Sequence, residues 1–460
     1  MTNEYLSVID EKSGILDACA DYLWENPETA FTEFKSAAYL CDMLRQEGFE
    51  VTEKVAGIDT AFSGRFDHGH PIVGVLGEYD ALSGLSQESC CVTHSPRPGE
   101  NCGQGCGHNL LGMGSLGAAM AIKKYIEDTG CEGTVIFYGT PGEEGGSGKG
   151  FMARDGVFDE LDFALCWHPD AVTRVKTGLS LANDQVLFRF DGRASHAGGA
   201  PHLGRSALDA VELMNIGVQF LREHMEDDSR VHYAITDAGG FSPNVVQPHA
   251  EVLYLIRATT NAGVKDLYRR VCDIAKGAAL MTETAESHDF IKACSNTVTN
   301  SVLIHVMDAR MKEIPVPVPT KEDLAFASSL VRESLAGLPD ANPDVPYNYA
   351  LQAMPPEKQG HGSTDVGDVS WVCPTVQVAA ATWVSGTPGH SWQATAQGKT
   401  RYAKEMARYA AKVMAATAVE VFRHPQLLKD AIAEHRRKVG PAGYEPPIPQ
   451  GVRPRPVNKL

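Results

Sequence analysis

The chain has 460 residues, of which 43% are hydrophobic and 22% are charged. This composition is ordinary for a packed globular protein and excludes a disordered, collagen-like or coiled-coil chain. At roughly 150 residues per domain, the length predicts two or three domains. The 41 basic and 58 acidic side chains leave a net charge of −17. Because such a surface repels phosphate backbones, we expect no nucleic-acid partner.

The cysteines and the first residues bear on the cellular compartment. The chain has 11 cysteines, an odd number at irregular spacing, unlike a small disulfide-rich secreted domain. The opening segment, MTNEYLSVIDEK, lacks a basic stretch followed by an apolar one, so no signal peptide is predicted. No apolar run reaches the roughly 18 residues of a membrane span. We therefore expect a cytoplasmic protein with reduced thiols and no membrane contact.

The first part of the chain alternates helical patterns with short apolar runs. Residues 5–48 carry apolar side chains at helical spacing, and Asn26-Pro27 divides them into two helices. A further helix is predicted at Gly114–Glu127, and strands at Phe49–Val55, Pro71–Leu76, Thr134–Tyr138 and Phe163–Trp167. Short buried strands that alternate with helices indicate an α/β sheet.

The pattern changes near residue 185, where apolar and polar residues begin to alternate with period two. A strand, a helix, two strands, a helix and a strand are predicted at Gln185–Phe190, Ser206–His224, Val231–Ile235, Val252–Arg257, Val264–Leu280 and Ala285–Ala293. This order is typical of an α+β unit. The α/β pattern then returns at Glu322–Leu335, Pro374–Ala380 and Thr400–Phe422.

The predicted fold class is therefore α/β, with a mixed-sheet domain interrupted by an inserted α+β domain. We place the first domain at residues 1–184 and 298–460 and the inserted one at residues 185–297. The proline-rich segment Glu445–Leu460 is predicted to form an extended surface arm.

Two segments combine donor groups that suit metal ions. Cys106 and His108 lie two residues apart in a glycine-rich turn, and thiolate and imidazole both bind zinc-like ions. A tight loop with a buried thiol, or a nucleophilic Cys–His pair, would explain the same residues. Glu143 and Glu144 follow a predicted strand, so one could bind a metal while the other takes a proton from water. A solvated acidic loop is an equally good explanation of these two residues alone.

Two histidines complete this set. His168 and His390 each follow a predicted strand, and either alone would usually be an ordinary loop residue. Together with Cys106, His108 and the two glutamates, they provide the residue types that the site of a metallohydrolase needs. The sequence contains no H-E-x-x-H or G-x-S-x-G motif, which disfavours a zincin or a serine hydrolase.

Three residues of the inserted domain carry weaker signals. His196 lies in a Gly/Ala-rich loop, Asn244 lies in another loop, and Arg257 ends a predicted strand. Arginine can hold a carboxylate through two hydrogen bonds, but most arginines at strand ends are simply solvated.

Several motifs occur in an order that resembles one protein family. They are EYDAL (78–82), GCGHNLLG (105–112), PGEEGGSGK (141–149), WHP (167–169), SHAGGAPHLGRSALDA (195–210), SPNVVQ (242–247) and STDVGDVSW (363–371). Over nearly its whole length the chain resembles the dinuclear metallopeptidases that include aminoacylases, carboxypeptidase G and auxin-conjugate amidohydrolases. Within that family, it is most similar to the branch that acts on p-aminobenzoyl-glutamate.

The resemblance implies a catalytic α/β domain that binds two zinc or manganese ions and a smaller lid domain that mediates dimerisation. The positions that match the metal ligands are Cys106, His108, Glu144, His168 and His390. Glu143 matches the general base, and His196 matches a lid histidine that stabilises the oxyanion, often across the dimer. Asn244 and Arg257 fall where the lid recognises a substrate carboxylate.

The expected activity is metal-dependent hydrolysis of the amide bond of N-acyl or N-aroyl amino acids, by a homodimer or by a chain paired with a paralogous partner. Alternatives are a dipeptidase or aryl-amide deacylase of the same fold, a non-catalytic partner chain, and a cysteine hydrolase that uses Cys106. One departure is Asn109, since many relatives have aspartate after the motif histidine. An aspartate there would orient His108, so we expect a different metal affinity.

Overall fold

A computed structural model describes residues 4–456. Its strands, in chain order, are β1 (Glu50–Glu53), β2 (Phe62–Phe66), β3 (Ile72–Gly77), β4 (Leu82–Ser83), β5 (Cys102–Gly103), β6 (Thr134–Gly139), β7 (Phe163–Asp170), β8 (Val172–Val175), β9 (Ala182–Asp191), β10 (Arg230–Asp237), β11 (His249–Ala258), β12 (Ala285–Cys294), β13 (Asn348–Leu351) and β14 (Thr375–Ala381).

The α-helices, in the same order, are α1 (Ser7–Glu11), α2 (Ser13–Glu25), α3 (Phe34–Gln46), α4 (His108–Thr129), α5 (Glu143–Gly146), α6 (Gly148–Arg154), α7 (Ala207–Leu221), α8 (Asn261–Thr282), α9 (Ser301–Glu313), α10 (Lys321–Leu330), α11 (Val366–Val372), α12 (Trp392–Gln397), α13 (Arg401–Arg423) and α14 (Pro425–Val439).

The large sheet has eight strands in the order β1-β2-β6-β3-β7-β14-β8-β13. The central strands β6, β3, β7 and β14 run parallel, and β1, β2 and β6 pair antiparallel in that order. The strand β8 pairs antiparallel with β14 and parallel with β13. Alternate residues of β3 enter different cores: Val73 and Val75 face the core beneath α2, α4 and α13, while Ile72 and Leu76 face the core beneath α6 and α11. Side chains alternate across a strand, so a strand covered on both faces is apolar throughout. The mixed α/β sheet expected from these runs is confirmed.

A separate antiparallel sheet has the order β10-β11-β9-β12. Alternate residues of β11 are buried, as expected for a sheet with one covered face. The helices α7 and α8 lie on that face and close a core of their own, with Val211, Met214, Val264 and Val271 at its centre. The predicted α+β unit is therefore confirmed, and we call β9–β12 with α7 and α8 the lid.

Some elements differ from the sequence predictions. The helix predicted from Gly114 begins at His108, because Gly107 adopts a left-handed conformation at φ +74° and ends the preceding loop. This helix is buried over most of its surface, so its first turns lack the periodicity of an amphipathic helix. The elements β2, β8, α9 and α14 were not predicted, and the predicted helix from Glu322 continues as a π-helical turn at Val331–Leu335.

The proline-rich C-terminal segment is not a simple surface arm. Ile448 is buried against the core beneath α6, and Arg154 donates a hydrogen bond to the Val452 carbonyl at 2.8 Å. Arg455 forms an ion pair with Asp289 of the lid at 3.1 Å. Up to residue 456, the segment thus runs along the surface without a helix or strand, but it is anchored to both domains, and its last four residues lie outside the described part of the chain. Among the described residues, no helix is long and apolar enough to cross a membrane.

Candidate metal centre

The predicted donors converge at the carboxyl ends of the central parallel strands. Such ends are where open α/β sheets place their sites. Glu78 and Asp80 follow β3, Glu143 and Glu144 follow β6, His168 lies near the end of β7, and His390 comes after β14. Cys106 and His108 enter from the start of α4, and the His390 backbone N–H donates to the Gly105 carbonyl at 3.1 Å, which joins the two loops.

The donors form two neighbouring groups. Cys106, His108 and His168 each offer a ligand atom within 4.8 Å of the others, and Cys106, Glu144 and His390 do the same. Cys106 Sγ lies 3.5 Å from His168 Nε2, and Glu144 Oε1 lies 3.1 Å from His390 Nε2. Because Cys106 belongs to both groups, its thiolate can lie between two ions. The five predicted ligands are thus brought together.

Two unpaired atoms show that this donor set fits cations. His108 Nε2 and Glu144 Oε1 are buried, and neither makes an aligned hydrogen bond, although Glu144 Oε1 lies 3.1 Å from His390 Nε2. Leaving such an atom unpaired costs about 1–3 kcal/mol, and more when the group is charged. Thiolate, imidazole and carboxylate are the usual donors of zinc sites in proteins. A pair of divalent ions would satisfy both atoms.

Asp80 orients the ligands on both sides of the cluster. Its Oδ1 accepts a hydrogen bond from His108 Nδ1 at 2.9 Å, and its Oδ2 accepts one from the Glu144 backbone N–H at 2.8 Å. Asn109 instead donates from Nδ2 to the Ala20 carbonyl at 3.1 Å, away from His108. Position 80 therefore supplies an orienting carboxylate for His108 that position 109 lacks, and the expected difference in metal affinity stays a prediction.

The loop that carries Glu143 rests on a buried carboxylate that the sequence patterns did not reveal. Glu33 is fully buried, and its Oε1 accepts hydrogen bonds from the backbone N–H groups of Gly142 and Phe31, both at 2.9 Å. Gly142 adopts φ +66°, which favours glycine. Burial and the nearby charge of Asp80 raise the pKa of Glu33 to about 8. In the sequence, Glu33 is visible only as an acidic residue that lies shortly after Ala30 and Phe31 and directly before α3.

A second buried charge lies behind the cluster. Lys149 is fully buried, and its Nζ lies 2.6 Å from Glu78 Oε1 and 2.7 Å from Asp365 Oδ1. Burial opposes the charged form, but the carboxylates of Asp365 and Glu78 raise the pKa of Lys149 above its usual range. The sequence patterns gave Lys149 no role. The structure makes it the cation that balances two buried carboxylates.

The surroundings of Glu143 suit a general base, and the surroundings of His168 suit a metal ligand that stays neutral. Burial, followed by the charges of Glu78 and Glu144, raises the pKa of Glu143 well above its usual range. A nearby metal ion would oppose this shift. Burial, followed by the charge of Lys176, lowers the pKa of His168 to about 3, so its imidazole stays neutral and its nitrogen lone pair is available.

The predicted lid residues do not all reach this cluster. Arg257 Nη1 donates a hydrogen bond to Ser363 Oγ at 2.9 Å, and Ser363 lines the cleft above the cluster. His196 and Asn244 are both described and exposed, but neither lines that cleft. They lie together on the lid, since the backbone N–H of Ala197 donates to the Asn244 carbonyl at 2.9 Å.

The tautomer of His196 follows from its hydrogen bonds. Its Nδ1 accepts from the backbone N–H groups of Gly198 and Gly199, at 3.2 and 3.0 Å. A ring nitrogen that accepts hydrogen bonds carries no proton, so in the neutral ring the proton is on Nε2. His196 therefore presents an N–H donor to its surroundings.

The cleft has a volume of about 590 Å³. Its lining includes three cationic side chains, Arg174, Lys176 and Lys358, which we call the cationic wall, and the apolar side chains of Ile304, Pro355 and Pro356. Glu143, Glu144, His168 and His390 lie on the cleft surface. The arrangement suits a substrate that is partly apolar and partly anionic.

Comparisons with known proteins identify relatives of this chain. Residues 184–281 match the family model described as a peptidase dimerisation domain. The chain is 46% identical to the B-type subunit of p-aminobenzoyl-glutamate hydrolase from Escherichia coli K12, over 95% of each chain. It is also 26% identical to Xaa-Arg dipeptidase from Mus musculus, over 94% of this chain and 91% of the relative.

Solved structures show the same fold. A putative aminohydrolase from methicillin-resistant Staphylococcus aureus superposes with a TM-score of 0.65 at 17% identity, over 91% of this chain and 99% of the other. A Bacillus subtilis protein described as a dinuclear metal-binding peptidase from the M20 family gives 0.53 at 16% identity, over 88% and 99%.

The contrast between Asp80 and Asn109 gives a testable prediction. We expect Asp80→Asn to lower the affinity for zinc about 10–100-fold, because an amide at this position no longer fixes His108 and Glu144 as ligands. The measurement is a competition titration of the metal-free protein against a chelator of known affinity. Asn109→Ala is the matched control, and it should lower thermal stability without this loss of affinity. Equal effects of the two substitutions on metal binding would contradict the role given to Asp80.

Proposed function

The chain belongs to the M20 family of metallo-hydrolases that act on amide bonds, and from this premise we propose that it hydrolyses the bond between an acyl or aroyl group and an acidic amino acid, such as p-aminobenzoyl-glutamate. The observation that carries the proposal is the cleft. It combines two groups of metal donors and the adjacent carboxylate of Glu143 with a cationic wall.

We propose that Cys106, His108, Glu144, His168 and His390 bind two divalent ions, zinc or manganese. The thiolate of Cys106 favours zinc, since softer ligands select softer metals. When bound, the ions lower the pKa of water and polarise the amide carbonyl. Glu143 accepts the proton of the attacking water and delivers it to the leaving amine nitrogen.

The oxyanion donor in this proposal comes from a second copy of the chain. His196 presents a proton on Nε2, but it lies on the exposed part of the lid rather than in the cleft of its own chain. The lid has a free edge strand, β10, on which Tyr233 and Ile235 are 41% and 44% exposed. Pairing of two β10 strands would bury these side chains, so we propose a homodimer in which His196 serves the partner's site.

A paralogous chain is the alternative partner. The A-type subunit of p-aminobenzoyl-glutamate hydrolase from Escherichia coli K12 is 28% identical over 52% of this chain. A non-catalytic role for this chain is disfavoured because all five proposed ligands and Glu143 are present and close together. A cysteine hydrolase is also disfavoured, since burial raises the pKa of the Cys106 thiol well above its usual range and thus opposes the reactive thiolate.

The cleft also bears on the choice of substrate. A glutamate product carries two carboxylates, which the wall of Arg174, Lys176 and Lys358 can attract, with Arg257 at its edge. An aminobenzoyl ring can pack against Pro355 and Pro356. A basic amino acid, as in the Xaa-Arg dipeptides that a relative cleaves, would meet like charges at that wall. We propose that Asn244, which lies beside His196, adds a hydrogen bond to a substrate carboxylate.

Two further expectations are kept as proposals. The division of the chain at residues 184 and 297 is supported by the limits of the lid sheet, Ala182 and Cys294. A cytoplasmic location is supported by the 11 free thiols, because reduced cysteines persist in reducing compartments.

The first test of this function is Glu143→Gln. The substitution keeps the size of the side chain but removes the base, so we expect turnover of p-aminobenzoyl-glutamate to fall at least about 100-fold. Metal content, measured by mass spectrometry, should stay near that of the unsubstituted protein. Glu127→Gln, at an exposed position on α4, is the control and should keep full activity. A Glu143→Gln variant with most of its activity would rule out this base.

The second test concerns the recognition of a substrate carboxylate by Arg257. We expect Arg257→Ala to raise the KM for p-aminobenzoyl-glutamate about tenfold or more, because a charge-assisted hydrogen bond contributes about 1.5–3 kcal/mol. For a p-aminobenzoyl amide without carboxylates, KM should change little. Lys429→Ala, on the exposed face of α14, is the control. A parallel loss for both substrates would argue against carboxylate recognition by Arg257.

The third test asks whether His196 acts across a dimer. Glu143→Gln and His196→Ala variants should each be nearly inactive alone. When the two are unfolded together and refolded, mixed dimers should carry one intact site, and activity should return to about a quarter of normal. Separate refolding followed by mixing without exchange is the control. If native mass spectrometry shows mixed dimers but no activity returns, His196 does not act in trans.

A further inference from the structure

One buried carboxylate of the cluster has no role in the proposed ligand set. Glu78 follows β3 directly, and its side chain is 5% exposed. Its Oε2 lies 3.2 Å from His108 Nε2, yet that nitrogen has no hydrogen-bond partner. The two atoms therefore lie close together without the alignment of a hydrogen bond. This is the arrangement of two donors that face a common cation.

The other carboxylate oxygen of Glu78, Oε1, already forms an ion pair with Lys149. Lys149 Nζ lies 2.6 Å from Glu78 Oε1 and is held from its far side by Asp365. A carboxylate fixed through one oxygen presents the other in a defined direction. Lys149 thus directs Glu78 Oε2 towards His108.

The local charge also calls for a cation at this point. Ligand atoms of Glu78, His108 and Glu143 lie within 4.8 Å of one another. Two carboxylates this close in a buried site repel each other unless a positive charge lies between them. Lys149 faces Glu78 and Asp365, but it forms no ion pair with Glu143 in the described part of the chain.

We propose that Glu78 is the fourth protein ligand of the ion held by Cys106, His108 and His168. This inference rests on the proposed function, since it extends the same metal centre. It makes the two metal positions unequal in their number of protein ligands. The first group contains Cys106, His108 and His168, and Glu78 reaches it through His108, so with Glu78 this position would have four protein donors, as in closed structural sites. The second group contains only Cys106, Glu144 and His390. Water and substrate therefore have access to the second position.

The experiment uses the full chain, stripped of metal and titrated with Co²⁺, whose visible absorption reports the number and geometry of its ligands. The unsubstituted protein should bind two ions. In Glu78→Gln, the affinity of one ion should fall at least about tenfold and its absorption band should change, while the other ion is unaffected. Lys149 keeps Asp365 as its partner in this variant, and circular dichroism of the metal-free protein checks the fold.

Two further variants separate ligation from charge and orientation. Glu78→Asp keeps the charge beside Lys149 but withdraws the oxygen from His108, so it should give the same spectral change. Asp80→Asn should weaken binding, yet its spectrum at saturating Co²⁺ should match that of the unsubstituted protein, because no ligand is removed.

The outcomes are distinct. Glu78→Gln protein with unchanged affinity overturns the inference. Weaker binding with an unchanged spectrum at saturation also overturns it, since Glu78 would then be a positioning residue. If the unsubstituted protein binds no Co²⁺ or Zn²⁺, the proposed function fails instead.

Discussion

The site depends on one carboxylate that fixes the relative positions of two segments, the start of α4 and the loop that carries Glu144. Asp80 comes from the turn after β3, and its two oxygens bind the ring of His108 and the backbone of Glu144. These partners belong to different loops, and each belongs to a different group of donors. The spacing of the two groups therefore depends on a residue that need not touch a metal ion. Parallel strands bring the loops to one edge of the sheet, and Asp80 fixes their separation.

Around this contact, the protein keeps several ionisable side chains out of water. Glu33 lies beneath the Gly142 loop, while Lys149 and Asp365 lie behind Glu78. Burying an ion pair gives little net stability, but removing one partner leaves an uncompensated charge and costs about 3–5 kcal/mol. Such pairs are better explained by the geometry they impose than by the stability they add. Here they fix the direction of carboxylates that face the donor cluster.

Much of the fold was predictable because the strands of the large sheet are buried on both faces. The strands with the sequences IVGVLG and TVIFYG have no solvent-exposed side, so each can be recognised as a continuous apolar run without an alternating pattern. The start of α4 was misplaced for the same reason, because a helix buried on most sides shows no polar stripe. The five proposed ligands were found because each stands next to a predicted strand or a glycine turn. The sequence therefore predicted which loops meet.

The supporting residues were harder to predict. Glu33 and Asp365 act from distant parts of the chain. Nothing local distinguishes Glu33 from a surface acid, and the motif that contains Asp365 does not show that its partner is Lys149. Asp80 belonged to a motif used for the resemblance, yet its partners became clear only from distances. Pairing between side chains separated by tens or hundreds of residues depends on tertiary packing, which local patterns do not encode.

The C-terminal segment has a consequence for how the chain is made. It crosses the junction of the two sheets, with Tyr444 donating to Asp368 on one side and Arg455 paired with Asp289 of the lid on the other. Domains tend to fold in the order in which they leave the ribosome. The lid is complete by Cys294, long before these contacts are synthesised. Each nascent chain therefore carries a lid without these contacts until residues 444–455 have been synthesised.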